Sequence, residues 1–135
     1  MDTVDSETRS RIMSLIHGKN TALEMTVRRM IHGMGYRYRL HAKDLPGSPD
    51  LVFRGRRKIV LVHGCFWHRH RKCPLSTIPK TRVDFWEEKF EKNISRDRRN
   101  LRELKKLGWS VLVIWQCEIK DKDKLGKKIR RFFEK

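Results

Sequence analysis

The chain has 135 residues, which is enough for one domain with a real hydrophobic core. Its formal net charge of +17 and its charged fraction of 36% indicate a partner with dense negative charge; nucleic acid is favoured, and an anionic membrane surface is the alternative. No apolar run approaches the ~20 residues that span a bilayer, and the polar N-terminus argues against a secretory signal, so we expect a cytoplasmic protein.

The first part of the chain predicts two helices and a strand. Residues 6–16 are predicted to form a short helix, and a second helix begins near Asn20 and ends at Gly33, because its apolar residues follow helical spacing. Alternating residues over Tyr36–Leu40 predict a strand, and the Pro- and Gly-rich segment Leu45–Pro49 predicts a turn.

The middle of the chain predicts two strands that are joined by a tight turn. The strands are Asp50–Phe53 and Lys58–Val62, and the hairpin turn is Arg54–Arg57. The second strand is a continuous apolar run, which is typical of a buried central strand.

The C-terminal half predicts a helix, a strand and a helix. Thr81–Asp84 resembles a capping box at the start of a long helix that ends at Gly108. Trp109–Trp115 is predicted to be a buried strand, and Lys124–Lys135 an amphipathic closing helix. This order predicts a single α/β domain over residues 1–135, with a mixed central sheet and helices on both faces.

A loop rich in His and Cys follows the predicted central strand. Cys65, His70 and Cys73 offer three zinc ligands from this loop, and a structural zinc site needs four. Cys117 follows the last predicted strand and would complete a Cys3His site if the two strands are neighbours. The alternative is that the cysteines are reduced thiols and the histidine is exposed.

Asp50 stands where a strand begins after a Pro-rich turn, which holds a carboxylate rigidly. A carboxylate so placed can bind Mg²⁺, which prefers oxygen ligands, or it can merely end the turn. If His70 binds zinc, His63 and His68 remain as candidates for a base that moves a proton near neutral pH. Asp97 could orient such a base, although the arginines around it favour surface ion pairs.

Three aromatic residues and one glutamate can each be interpreted in two ways. Phe66 and Trp67 lie between the proposed zinc ligands in a loop that cannot easily bury both, and Trp86 lies near the start of the long helix. Exposed rings on a basic protein can stack on bases or enter between base pairs, and the alternative is core packing. Glu24 could reach a metal near Asp50, but the sequence favours a role at the start of its helix.

These residues resemble the very-short-patch-repair mismatch endonucleases of bacteria, the Vsr family. The resemblance covers nearly the whole chain in order, and its most specific block is HGCFWH at His63–His68. The other matching segments are Thr21–Glu24, Leu45–Asp50, His70 with Cys73, Thr81–Glu87, Asn93, Arg96–Arg99 and Gly108–Cys117.

The resemblance implies a restriction-endonuclease-like sandwich that contains a structural Zn²⁺. It implies Mg²⁺-dependent nicking of duplex DNA on the 5′ side of the thymine in a T:G mismatch, which arises when 5-methylcytosine deaminates. It also implies a monomer associated with the bacterial nucleoid, with mismatch-repair proteins as candidate partners.

The resemblance also implies roles for individual residues. Asp50 and the backbone carbonyl of Val62 resemble the family's Mg²⁺ ligands, while His68 resembles its general base and Asp97 the partner that orients it. The remaining matches are the supporting residues His63 and Glu24, the zinc ligands Cys65, His70, Cys73 and Cys117, the DNA-entering residues Phe66, Trp67, Trp86 and Met13, and an N-terminal arm, residues 1–19, that contacts DNA.

Two alternatives remain. One is a nuclease of the same fold with another target, such as a restriction or structure-specific enzyme. The other is a non-catalytic zinc module that binds DNA, and the pair Asp50 and His68 argues against it because binding alone needs neither. The strand after Asp50 lacks the Glu-x-Lys pattern of most nucleases of this fold, which supports a histidine-based mechanism.

Overall fold

The computed structural model describes residues 21–66, 68–71, 73–76 and 80–135, and this part of the chain contains a four-stranded sheet, three α-helices and two short 3-10 helices. The strands are β1 Arg39–Leu40, β2 Leu51–Phe53, β3 Lys58–His63 and β4 Ser110–Trp115, and the helices are α1 Thr21–Gly33, α2 Val83–Lys106 and α3 Lys122–Glu134. The predicted helix at 6–16 and the arm at 1–19 lie outside the described residues. None of the helices within these ranges is long and apolar enough to span a bilayer.

The third strand is the central one, as its continuous apolar run predicts. The sheet has the order β1-β2-β3-β4, and β3 pairs antiparallel with β2 through the predicted hairpin. It pairs parallel with β4 along its whole length, with Lys58 opposite Ser110 and His63 opposite Trp115. A parallel pair needs a long crossover, which α2 provides here. The predicted α/β fold with a mixed sheet is therefore confirmed.

Two apolar clusters lie on opposite faces of the sheet. One contains Ile31 of α1 and Ile129 of α3, and the other contains Leu104 of α2. The neighbouring residues Ile59 and Val60 belong to different clusters because side chains alternate across a strand. Helices therefore cover both faces, with α1 and α3 on one face and α2 on the other.

The predicted strand over residues 36–40 forms only in its second half, as β1. The ring of Tyr36 stacks on Phe133 with centroids 4.1 Å apart, and Tyr38 packs edge-on against Phe53 at 5.9 Å. The alternation in this segment thus reflects aromatic packing against the core as well as strand pairing, and the strand prediction is wrong for residues 36–38.

Two predicted helix starts also differ from the structure. The capping box predicted at Thr81–Asp84 is wrong: Arg82 precedes α2 in the left-handed conformation and its side chain makes no capping hydrogen bond. The last helix, α3, begins earlier than predicted because the side chain of Asp121 accepts a hydrogen bond from the backbone N–H of Lys124 at 3.1 Å.

Lys58 is a buried cation that joins the start of β3 to the end of α3. Its exposed fraction is 8%, and its Nζ donates to the backbone carbonyl of Phe132 and, at 3.2 Å, to that of Lys135. The last carbonyls of a helix have no partner within the helix and carry partial negative charge. The ammonium group satisfies them and thereby holds α3 on the sheet.

We expect Lys58→Met to lower the free energy of unfolding by about 2 kcal/mol, because methionine keeps much of the packing but loses hydrogen bonds from a charged donor. Urea denaturation followed by circular dichroism measures this change. Lys92→Met is the matched control, since that lysine is exposed on α2 and pairs with Glu88 at 3.2 Å; its effect should stay within about 0.5 kcal/mol. Equal losses in the two variants would contradict the role of Lys58.

Candidate active site

A cavity of about 750 Å³ lies between α2 and the edge of the sheet where β2 begins and β3 ends. Because β2 and β3 are antiparallel, the residue before β2 lies beside the end of β3. The predicted site residues that line this cavity are Asp50, Val62, His63, His68 and Asp97.

Asp50 is held in place by the backbone of β3. The N–H of Val62 donates to Oδ2 of Asp50 at 2.8 Å. Burial raises the pKa of the Asp50 carboxyl, and the hydrogen bond from Val62 only partly offsets this rise. The geometry thus presents a rigid, half-buried carboxylate to the cavity.

Glu24 and His41 lie close to Asp50. Ligand atoms of these three residues lie within 4.8 Å of one another. Oε2 of Glu24 is 3.3 Å from Nε2 of His41 and 3.7 Å from the guanidinium of Arg28. Glu24 therefore faces Asp50, which is the reading that the sequence did not favour.

Sequence reasoning missed His41, which lies in the loop just after β1. Its backbone N–H donates to the carbonyl of Asp50 at 3.1 Å, so the pairing of Leu40 with Leu51 continues to His41 and Asp50. A correct β1–β2 register would have identified it, because that register sets His41 opposite Asp50.

His68 and Asp97 form a hydrogen-bonded pair in the cavity, with Nδ1 of His68 2.6 Å from Oδ2 of Asp97. An ionised carboxylate can only accept, so the imidazole proton is on Nδ1 and donates to Asp97. This tautomer leaves Nε2 able to accept a proton. The structure places Asp97 where it can orient His68, a relation hidden in the sequence by the arginines around it.

His63 lies flat against His68, with ring centroids 3.9 Å apart and planes 3° from parallel. Burial and the neighbouring charge of His68 lower the pKa of His63 to about 3. Its buried Nδ1 makes no hydrogen bond within the described residues. His63 is therefore neutral at physiological pH, and His68 can take up a proton without a second cation stacked on it.

The cysteines meet because of the parallel register of β3 and β4. His63 lies opposite Trp115, so Cys65 and Cys117, each two residues later, leave the same edge of the sheet together. The predicted neighbour relation of the two strands is confirmed. The four predicted ligands offer atoms within 4.8 Å of one another, and they are Cys65, His70, Cys73 and Cys117.

Hydrogen bonds and one ring contact hold the cysteine loop in shape. The N–H of Cys65 donates to Oε1 of Gln116 at 3.2 Å, and the N–H of His70 donates to the carbonyl of Cys65 at 3.0 Å. The His70 ring stacks on Trp115 with centroids 4.2 Å apart. Burial raises the pKa of the Cys65 thiol to about 12, so a cation must displace a firmly held proton there. The group can hold one tetrahedral cation.

Phe66 and Trp86 are buried in an aromatic cluster together with Phe90. Their exposed fractions are 8% and 6%, and their rings meet edge-on with centroids 5.6 Å apart. Of the two interpretations that the sequence left open for these rings, the isolated chain shows core packing for Phe66 and Trp86. Trp67 and Met13 lie outside the described residues.

Arginines complete the wall of the cavity. Arg69, Arg71, Arg96 and Arg98 line it together with the acidic and imidazole groups. Guanidinium groups in such a position can bind phosphate through paired hydrogen bonds. The cavity thus combines anion-binding groups, a rigid carboxylate and an oriented imidazole.

The chain is similar to a group of bacterial DNA-cleaving enzymes. Residues 1–74 match the family model described as DNA mismatch endonuclease Vsr. The chain is 45% identical over 133 residues to the type II nicking enzyme V.XorIIP of Xanthomonas oryzae pv. oryzae. The alignment covers 98% of this chain and 97% of that protein. It is 42% identical over 124 residues to the DNA mismatch endonuclease Vsr of Escherichia coli K12, and the alignment covers 92% of this chain and 79% of that protein. It is 43% identical over 121 residues to the type II nicking enzyme V.NmeAIP of Neisseria meningitidis serogroup A, and the alignment covers 90% of this chain and 86% of that protein.

Proposed function

Because the chain belongs to the Vsr family of DNA mismatch endonucleases and is a DNA endonuclease, we propose that it nicks duplex DNA on the 5′ side of the thymine in a T:G mismatch. Such mismatches arise when 5-methylcytosine deaminates. The observation that carries the proposal is that one cavity contains Asp50 and the His68–Asp97 pair in a chain of net charge +17. The mixed sheet with helices on both faces is compatible with a restriction-endonuclease-like sandwich.

Asp50 and the backbone carbonyl of Val62 would hold Mg²⁺. The oxygen donors suit this ion, and the half-buried carboxylate is already held by the Val62 N–H at 2.8 Å. The N–H and C=O of one residue in a strand point to the same side, so the Val62 carbonyl faces the same edge. When bound, Mg²⁺ would neutralise charge on the scissile phosphate. Since burial raises the pKa of Asp50, protonation at acidic pH would weaken this binding.

His68 would act as the general base. Nε2 of His68 accepts a proton from the attacking water, and Asp97 keeps the required tautomer and stabilises the imidazolium that forms. The neutral ring of His63 supports His68 from one side, and Glu24 lies beside Asp50. A histidine base is in keeping with a strand that lacks the Glu-x-Lys pattern.

One assay tests the proposed function and its alternatives. End-labelled duplexes with a T:G centre, a matched centre and other mismatched centres are incubated with the protein and Mg²⁺. We expect a single nick 5′ of the mismatched thymine. Equal cleavage of matched duplex would indicate a nuclease of the same fold with another target, and DNA binding without cleavage would indicate a non-catalytic module.

We expect Asp50→Asn to lower the nicking rate by at least about 100-fold, because an amide cannot neutralise Mg²⁺ as a carboxylate does. Duplex binding, measured by fluorescence anisotropy, should be largely retained. Asp44→Asn is the matched control, since Asp44 is exposed and pairs with Arg54 at 2.8 Å outside the cavity. A wild-type rate in Asp50→Asn would show that Asp50 is not a metal ligand.

We further propose that the cysteine group holds a structural Zn²⁺. A tetrahedral centre with ordinary Zn–S and Zn–N bonds separates sulfur from nitrogen by about 3.6 Å. Nδ1 of His70 lies 3.6 Å from Sγ of Cys65 and 3.3 Å from Sγ of Cys117, which is close to this value. Three soft thiolates and one imidazole also suit Zn²⁺ better than Mg²⁺.

Elemental analysis should find one zinc ion per chain in natively purified protein. We expect a strong chelator to lower Tm and added Zn²⁺, but not Mg²⁺, to restore it, because a closed site contributes to folding free energy. Cys117→Ser should lose both zinc and thermal stability. Natively purified protein that contains no zinc would contradict this proposal.

The aromatic residues would enter the DNA beside the mismatch, with Phe66, Trp67 and Trp86 in one groove and Met13 approaching from the other. Inserting rings between base pairs costs a few kcal/mol of unstacking, and this cost is lowest where pairing is already weak. Because Phe66 and Trp86 are buried in the isolated chain, we infer that their cluster rearranges when DNA binds.

We expect Trp67→Ala to narrow the ratio of cleavage rates on T:G and matched duplexes by about tenfold, the value of one stacked ring. Trp67→Phe keeps a ring and should retain most of the ratio, and zinc content should be unchanged in both. If the ratio survives in Trp67→Ala, in Trp86→Ala and in the double variant, the rings do not enter the DNA.

A further inference from the structure

Asp50 belongs to a group of side chains that combines nitrogen and oxygen ligands. Glu24, His41 and Asp50 each offer one ligand atom, and these atoms lie within 4.8 Å of one another. Glu24 belongs to α1, His41 follows β1, and Asp50 precedes β2. Backbone hydrogen bonds, 3.1 Å from His41 to Asp50 and 3.3 Å from Ala42 to Pro49, hold the two loop segments together.

We propose that Glu24, His41 and Asp50 form a divalent-cation site in which His41 favours Mn²⁺ over Mg²⁺. This inference rests on the proposed function, in which Asp50 is a ligand for the metal that assists cleavage. An imidazole nitrogen is a good ligand for transition metals, whereas Mg²⁺ takes oxygen ligands and keeps much of its water. Replacing one oxygen by nitrogen therefore shifts the preference of the site toward Mn²⁺.

The charges around this group also favour a cation. The carboxylate groups of Glu24 and Asp50 offer oxygen atoms within 4.8 Å of each other, so two negative charges that repel meet in one small volume. Arg28 is 3.7 Å from Glu24 and offsets its charge only in part, at a distance longer than a hydrogen bond. The His41 side chain is 52% exposed, so a hydrated ion can reach its imidazole from solvent.

A simpler role for His41 is a hydrogen bond to Glu24, since their Nε2 and Oε2 atoms are 3.3 Å apart. His41→Gln separates the two roles, because a glutamine amide can still donate to a carboxylate but does not supply an imidazole nitrogen. The hydrogen-bond role predicts unchanged cation affinity in this variant. The metal role predicts a selective loss of Mn²⁺ affinity.

The experiment measures Mn²⁺ binding directly, by the electron paramagnetic resonance signal of free Mn²⁺ titrated with natively purified protein. Mg²⁺ affinity follows from competition against bound Mn²⁺. We expect wild-type protein to bind Mn²⁺ more tightly than Mg²⁺. Loss of a group that merely orients a ligand lowers metal affinity by about 10- to 100-fold. We therefore expect His41→Gln to lower the affinity for Mn²⁺ by at least about tenfold and the affinity for Mg²⁺ by less.

Two further variants sharpen the test. His32→Gln is the matched control, since His32 is an exposed histidine in the last turn of α1, and it should leave both affinities unchanged. His41→Asp replaces the nitrogen by oxygen and should narrow the preference for Mn²⁺ while a cation still binds. Circular dichroism checks that each variant is folded.

Equal Mn²⁺ affinity in wild type and His41→Gln would overturn the inference, and so would equal losses of Mn²⁺ and Mg²⁺. Because binding is measured without DNA, the proposed function fails separately. A protein that binds Mn²⁺ through His41 but nicks no T:G duplex would refute the function and keep the site.

Discussion

The position of β3 between β2 and β4 is the constraint on which both candidate metal groups depend. Its parallel register with β4 sets His63 opposite Trp115 and so brings Cys65 and Cys117 off the sheet at one place. The other edge of β3 faces β2, which places Asp50 beside the last residues of the same strand. A shift of β3 by one residue would separate the cysteines and turn the apolar side chains of the strand to the wrong faces.

Charge is divided in and beside the cavity in a way that the net charge of +17 does not reveal. Asp97 is paired with His68, and Glu24 lies beside Arg28 and His41. The arginines that line the same cavity attract a polyanion. A polyanion drawn to the arginines would thus arrive over acidic groups, and a divalent cation would resolve the resulting repulsion.

Residue spacing and periodicity predict the helices, strands and loops that are determined by a single segment of the chain. The apolar run of β3, the long helix α2 and the ligand-rich cysteine loop follow from such local patterns, and the turn before Asp50 indicates a rigidly held carboxylate. His41 was missed because its position depends on strand register, and the capping box failed because Arg82 takes a left-handed backbone that no composition rule indicates.

Contacts between distant elements were harder to predict. Asp97 lies on α2, 29 positions after His68 in the chain, so their contact depends on how α2 packs against the sheet. The fourth cysteine ligand was found only through the assumption that two strands are neighbours. The burial of Phe66 and Trp86 depends on the packing of α2 against the cysteine loop, and side-chain type alone does not determine this packing.

The brevity of β1 has a consequence for the segment that carries His41. Arg39–Leu40 is a two-residue edge strand with both side chains exposed, whereas β3 is paired on both sides and buried at its start. Local opening of a protein begins where few buried contacts resist it, and the most protected amides open only with the whole domain. The central strand is therefore the stiffer element, and the edge segment that leads to His41 yields first. Motion of this edge would change the distance between His41 and Asp50, while the hydrogen bond from the Val62 N–H keeps Asp50 on β3.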